Sequence, residues 1–319
     1  MDHASKMATK EGESTDSIYP TIDVSLLSSS ENELQKVKSV LSSCGCFQAV
    51  GHGIPSEFLD KVRGVAKEFF ALPDEEKQKC VRAANEVEGY GDDLIVAEKQ
   101  VIDCCYRLFL RVFPVDQRRL NLWPENPTDF GEILHEYATK VKSVMDDLSK
   151  VMARSLNLDE DSFLSQYGAR PIMQVRFNFY PPSPSADVLG VKPHSDRSGI
   201  TVLLQDEEVE GLQVFKDGAW ATVPVIPQAL VVNLGDQMQI MSNGIFKSPV
   251  HRVLTNPNQL RLSVAMFNEP EQDGEIGPLH CLVDEARPRM YRTVKNYAAF
   301  NYECVQKGKV PLEEVRIKS

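Results

Sequence analysis

The stretch Lys192-Pro193-His194-Ser195-Asp196-Arg197 runs on into Ser198-Gly199-Ile200-Thr201-Val202-Leu203-Leu204-Gln205. Residues 200–205 read as a short strand, and the same texture recurs at 173–180, 212–215, 230–234, 250–254 and 260–267, with turn residues between. Short strands repeated at such spacing predict a sandwich or barrel.

Working outward, the chain before residue 171 is mostly helical. Ser30 and Glu33 form a capping box for a helix carrying Leu34, Val37 and Leu41, and residues 45–50 follow as a buried strand. Leu59, Val62, Ala66 and Phe69 mark a second helix that stops near Pro73, with a short one at 74–77. Short strands are expected at 19–24 and 108–112, and irregular chain at 85–98. The longest helical pattern spans 128–156, with an apolar ridge of Ile133, Tyr137, Val141, Val144, Leu148, Val151 and Leu156. A last helix is expected at 296–307. The expected division is a flexible N-terminus (1–18), a helical region (19–125), a spine helix with its connector (126–170), a β core (171–269) and a C-terminal segment with a helix (270–319).

With 46 acidic against 35 basic residues, the net charge of −11 argues against general affinity for nucleic acid or anionic membranes. A small-molecule substrate is the better expectation, with no obligate protein partner evident. The seven cysteines are odd in number, scattered and without a C-x-x-C pair, which suits free thiols in a reducing compartment. Residues 1–17 contain no apolar core of a secretion signal, and no later run approaches a membrane span. A cytoplasmic protein is therefore expected.

In extended chain, residues i and i+2 point the same way, so His194 and Asp196 can grip one metal together. His251, in Ser248-Pro249-Val250-His251-Arg252-Val253, is the candidate third ligand. Two histidines and a carboxylate on one face of a metal, with positions left open, favour non-haem Fe(II) oxygen chemistry. If residues 254 and 260 close a hairpin, Val253 pairs with Arg261 and His251 with Ser263, all on one face. An arginine facing a β interior needs an anionic partner. A diacid that chelates the metal with one end and is held at the other would supply it. Tyr180 adds a hydroxyl, with Asn178 on the same face of its strand. A single histidine is usually structural or solvated; His52 is read as a structural turn residue, and His3, His135 and His280 have no metal partner in the sequence.

Beyond these spacings, the chain resembles the plant Fe(II)- and 2-oxoglutarate-dependent dioxygenases of specialised metabolism, over residues 19–307. The resemblance rests on Gly45-Cys46-Phe47-Gln48, Gly51-His52-Gly53-Ile54-Pro55, Phe69-Phe70-x-Leu72-Pro73 and Glu88-Gly89-Tyr90-Gly91. It continues through Asn178-Phe179-Tyr180-Pro181-Pro182, His194-Ser195-Asp196, Leu203-Leu204-Gln205-Asp206 and Gly211-Leu212-Gln213-Val214. Asn233-Leu234-Gly235-Asp236, His251-Arg252-Val253 and Arg261-Leu262-Ser263 complete it. It implies a mainly β fold with supporting helices: a double-stranded β-helix (jelly roll, cupin-like) core with a helical N-terminal region. It implies iron ligands at His194, Asp196 and His251. The distal carboxylate of 2-oxoglutarate falls to Arg261 and Ser263, with Tyr180 helping and Asn178 near the chelating end. The implied cofactor set is Fe(II), with 2-oxoglutarate and O2 as cosubstrates and ascorbate as a stimulant. The implied reaction oxidises an unactivated C–H bond of a small plant metabolite, by hydroxylation, O-demethylation, desaturation or ring closure, and releases succinate and CO2.

The chain departs from its relatives on the substrate side. Asp103-Cys104-Cys105-Tyr106-Arg107 stands where many carry a Trp-containing stretch, Ser183 replaces a common cysteine, and Arg197 follows the metal pair. Cys104, Cys105, Tyr106, Phe109 and Phe267 are the expected substrate-pocket residues. The alternatives are a 2-oxoglutarate-independent Fe(II) oxidase of the same fold, a non-catalytic small-molecule binding protein, and a zinc hydrolase that would leave Arg261 and Ser263 without a duty.

Overall fold

A computed structural model of the chain describes residues 19–84, 86–92, 103–183 and 188–318. The expected flexible N-terminus at 1–18 lies outside them. After β1 (Thr21–Asp23), helix α1 (Glu31–Ser43) starts where the capping box puts it, the Ser30 hydroxyl accepting from the Glu33 amide at 3.3 Å. Strand β2 (Cys46–Val50) then leads to α2 (Ser56–Ala71) and α3 (Asp74–Gln78). Strands β3 (Gly89–Gly91) and β4 (Tyr106–Phe113) precede the spine α4 (Phe130–Ser155), which buries Tyr137, Val141, Met145, Leu148 and Met152 along one side.

The core follows as β5 (Ile172–Tyr180), β6 (Leu189–His194), β7 (Ile200–Leu204), β8 (Leu212–Lys216), β9 (Ala219–Thr222) and β10 (Leu230–Leu234). A short α5 (Asp236–Met241) separates these from β11 (His251–Leu254) and β12 (Arg261–Glu269). The strands form a large sheet, β1-β2-β10-β7-β12-β5-β4-β3, and a small one, β6-β11-β8-β9. From β5 to β8 and again from β9 to β12 each strand changes sheets, as in a jelly roll, while β8 and β9 pair as neighbours.

Alternation along the large sheet serves two layers. Val175, Phe177, Val202, Leu204, Val264 and Met266 pack outward into the core shared with α1, α2 and α4. Tyr180, Leu203, Val231 and Ala265 turn inward, toward Val191, Leu212, Val214 and Val253 of the small sheet. The C-terminal helix α6 (Tyr297–Gln306) is capped by Asn296, whose Oδ1 accepts from the Ala299 amide at 3.1 Å, and α7 (Pro311–Glu314) follows. No helix among the described residues is long and apolar enough to cross a membrane.

Strands β3, β6 and β9 were not anticipated, and each is an edge strand. β3 is only Gly89-Tyr90-Gly91, β9 is four residues with none buried, and β6 includes Pro193, so none of the three shows a clear strand pattern in sequence. Residues 89–91 thus correct the expectation of irregular chain across 85–98; residues 85 and 93–98 lie outside the described set.

The expected hairpin between residues 254 and 260 is also corrected. β11 is bonded on both sides, to β6 and β8, and β12 on both sides, to β5 and β7. Residues 255–260 instead carry the chain from one sheet to the other. His251 therefore lies opposite His194 and Val214, whereas Arg261 lies opposite Tyr180 and Ser263 opposite Asn178. The two groups meet across the interior of the sandwich, not along a ladder.

Candidate active site

Strand pairing places the two imidazoles. His194 ends β6, directly opposite His251 at the start of β11, with ring centroids 4.3 Å apart. Asp196, two residues on, brings Oδ1 to 3.6 Å from each Nε2. The outer nitrogens are engaged by backbone carbonyls: His194 Nδ1 with Lys192 O at 2.8 Å and His251 Nδ1 with Pro249 O at 3.2 Å. Each Nδ1–H donates outward, so both Nε2 atoms face Asp196.

Burial disfavours the Asp196 charge, but His251 and His194 overrule it and hold the carboxyl well below the usual range. Burial also keeps His251 below its ordinary value. The buried Asp196 Oδ2 has no hydrogen-bond partner among the described residues. An ionised carboxylate with an unused oxygen and two inward imidazole nitrogens, all within 4.8 Å of one another, is a donor set that suits a divalent cation.

Deeper in the same cavity, the register sets Arg261 beside Tyr180 and Ser263 beside Asn178, with Asn178 Nδ2 donating to Ser263 Oγ at 3.3 Å. Arg261 is 0% exposed, and its guanidinium lies 5.1 Å from the Tyr180 ring centre. Nε donates to Val209 O at 3.2 Å and Nη2 to Gln205 Oε1 at 3.4 Å, while Nη1 has no partner among the described residues. A buried guanidinium with an unused donor calls for an anion. Gly211 makes room for it, since a Cβ there would stand 2.9 Å from Arg261 Cδ and 2.7 Å from Leu254 O. Burial pushes the Tyr180 phenol up, so it stays a protonated donor. The residues present therefore fit a ligand with a chelating end at the metal and a carboxylate at Arg261.

A wider cavity of about 460 Å³ opens outward from His194 and Asp196. Phe109 and Phe267 stack within its wall, ring centroids 6.4 Å apart, and Tyr302, Val305, Val310 and Pro311 contribute from the C-terminal segment. Phe109 and Phe267 thus sit where a substrate pocket was expected, but Cys104, Cys105 and Tyr106 do not line this cavity. Alternation along β4 accounts for Tyr106. Arg107 and Phe109 face the cavity, whereas Tyr106 is on the opposite side, near Phe179 and 44% exposed. Cys105 is buried with its Sγ 3.8 Å from Asn178 Oδ1, which places it beside the deeper pocket.

Sequence reasoning passed over Arg107 and Arg176, which two-residue steps from Phe109 and Asn178 would have put on the cavity wall. Arg197 was noticed only as a departure; its Nε donates to Glu269 Oε1 at 2.6 Å in that wall. The C-terminal lining residues carry no motif that could have signalled them.

Two family models match: the 2OG-Fe(II) oxygenase superfamily at residues 171–270, and the non-haem dioxygenase in morphine synthesis N-terminal region at 19–126. Protein SRG1 of Arabidopsis thaliana is 38% identical over 305 residues, covering 93% of this chain and 85% of that protein. Codeine O-demethylase of Papaver somniferum is 36% identical over 283 residues, covering 87% and 79%. The crystal structure of JOX2 in complex with 2OG, Fe and JA superposes with a TM-score of 0.88 at 34% identity, covering 94% of this chain and 89% of that one.

Proposed function

The chain belongs to the 2OG-Fe(II) oxygenase superfamily, and from that premise we propose that it oxidises an unactivated C–H bond of a small plant specialised metabolite through the site built by His194, Asp196, His251 and Arg261. It is a 2-oxoglutarate-dependent dioxygenase, with Fe(II) as cofactor, 2-oxoglutarate and O2 as cosubstrates, and ascorbate as the stimulant usual in the family.

In this reading His194, Asp196 and His251 hold the iron. Arg261 and Ser263 take the distal carboxylate of 2-oxoglutarate, Tyr180 donates to it, and Asn178 stands near the chelating end. Bound iron supplies oxidation driven by O2 and by the decarboxylation of 2-oxoglutarate to succinate and CO2. The protein's part is placement: the two imidazoles and the carboxylate occupy one side, and the wide cavity lies over the other. Phe109 and Phe267 present ring faces against which a planar substrate can lie. Which C–H bond is placed near the metal decides between hydroxylation, O-demethylation, desaturation and ring closure.

The names of the relatives support a specialised metabolite, among them codeine O-demethylase and a flavonol synthase/flavanone 3-hydroxylase of Eustoma. The net charge of −11 supports action without nucleic acid or an anionic membrane surface, and the seven free cysteines support the cytoplasm. The five-part division of the chain, with its iron site in the core at 171–269, belongs to the same reading.

The observation that carries it is the Arg261 Nη1, without a partner among the described residues, in the same cavity as the three converging donors. The test is anaerobic reconstitution with Fe(II) and 2-oxoglutarate, then O2, with plant metabolites screened for stimulated succinate formation. Metabolite oxidation that is indifferent to 2-oxoglutarate would refute it.

A further inference from the structure

Behind the metal site lies a pair of thiols that the reaction does not use. Cys44 caps α1 and Cys46 opens β2, joined by Gly45 at φ +72°. The turn is held from three sides. The Gly45 amide donates to Val40 O at 3.1 Å, its carbonyl accepts from the Leu234 amide at 2.9 Å, and a Cβ on it would stand 2.0 Å from Lys247 O. Both side chains are therefore fixed toward the sandwich interior, Cys44 at 8% exposure and Cys46 at 1%. The Cys44 thiol donates to Val40 O and to Cys46 O, each at 3.4 Å, and the two side chains pack in one buried cluster.

This pair is wired to the cosubstrate cavity. Cys46 lies opposite Asn233 in the β2–β10 ladder, and Asn233 lines the cavity that holds the metal donors and Arg261. Tyr19, buried at 4% exposure, donates its hydroxyl to Asn233 Oδ1 at 3.1 Å and packs with Cys46 in the same buried cluster. A change at Cys46 is thus passed to the cavity floor through one tyrosine and one asparagine.

We propose that Cys44 and Cys46 are a modification site: a dithiol that hydrogen peroxide closes to a disulfide, weakening 2-oxoglutarate binding until a thiol reductant reopens it. Cys44 sulfur attacks one peroxide oxygen, the O–O bond breaks, and a sulfenic acid and one water result. Cys46 sulfur then attacks the Cys44 sulfur and displaces the hydroxyl as a second water. Two thiols lose two protons and two electrons, and peroxide takes them up.

The order follows from the surroundings. The hydrogen bond from Cys46 brings the Cys44 thiol down to about 6 against the opposing effect of burial, whereas the bond to Cys44 and burial push Cys46 up. Closing so short a loop across a fixed turn gives a strained disulfide, and strained disulfides are the readily reduced ones. Closure also removes the Cys46 thiol from Tyr19.

The proposal rests on the dioxygenase reading only through the 2-oxoglutarate readout. The test uses the full chain loaded with Zn(II), so that the metal does not itself consume peroxide. After limiting hydrogen peroxide, peptide mapping should find residues 44 and 46 linked, with a mass loss of two hydrogens that a phosphine reductant reverses. Cys44→Ser and Cys46→Ser should each abolish the link, and Cys281→Ser should keep it. Calorimetry should show 2-oxoglutarate binding about tenfold weaker in the oxidised chain, the cost of one disturbed hydrogen bond, and restored on reduction.

If the reduced chain shows no 2-oxoglutarate binding, it is the dioxygenase reading that fails. Hydrogen exchange of the β2 and β10 amides then decides the proposal, with faster exchange after oxidation supporting it. A chain whose Cys44 and Cys46 stay alkylatable after peroxide overturns it. So does one that forms the link with neither binding nor exchange altered.

Discussion

Replacing Arg261 by lysine isolates what the guanidinium contributes. Arg261 is 0% exposed, is steadied by Val209 O and Gln205 Oε1, and has one donor nitrogen unused. A carboxylate arriving there can take two charge-assisted hydrogen bonds from the planar fork, whereas a lysine ammonium is a point charge without that geometry. Losing one such bond costs about 1.5–3 kcal/mol, so the Kd for 2-oxoglutarate should rise about 10- to 150-fold. Arg261→Met loses both bonds and should bind more weakly still. The assay is calorimetric titration of 2-oxoglutarate into Zn(II)-loaded protein, with metal affinity and thermal unfolding measured alongside to separate local from global damage. Wild-type affinity in Arg261→Lys would make Arg261 an ordinary interior ion and sink the anchor assignment.

Other perturbations separate the parts of the site. His251→Ala removes one of three converging donors and should lower metal affinity by more than about 100-fold in a competitive chelator titration; retention of metal would exclude His251 as a ligand. Gly211→Ala pushes a methyl against Arg261 Cδ and Leu254 O, an overpacking cost of about 1–3 kcal/mol, and should weaken 2-oxoglutarate binding while sparing metal binding. Phe109→Ala removes one ring of the stacked pair and should raise the KM for the organic substrate about tenfold; an equal effect on 2-oxoglutarate affinity would place Phe109 in the wrong pocket.

What the sequence discloses here follows the range of the interactions. Local signals are legible: the Ser30 cap is a contact between residues three apart, and the His194 and Asp196 pairing comes from the two-residue period of extended chain. Long-range pairing is not. The hairpin expected around 255–260 had a plausible loop, but both edges of β11 and of β12 are taken by strands distant in sequence, and no short-range pattern encodes that competition. His251, Arg261 and Ser263 still share one cavity, because inward-facing positions of opposed sheets converge whichever strands are paired. The substrate side was the least legible. Tyr106 and Phe109 differ in parity along β4 and so face opposite ways, while the lining from 301–311 comes from a segment whose docking rests on tertiary packing.

The most direct test of the account is the stoichiometry of turnover. With Fe(II), O2 and a metabolite that stimulates the enzyme, succinate and oxidised product should form in equal amounts, and omission of 2-oxoglutarate should stop both. Product formed at an undiminished rate without 2-oxoglutarate, or with Zn(II) under argon, would contradict the assignment of the Arg261 pocket to a diacid cosubstrate.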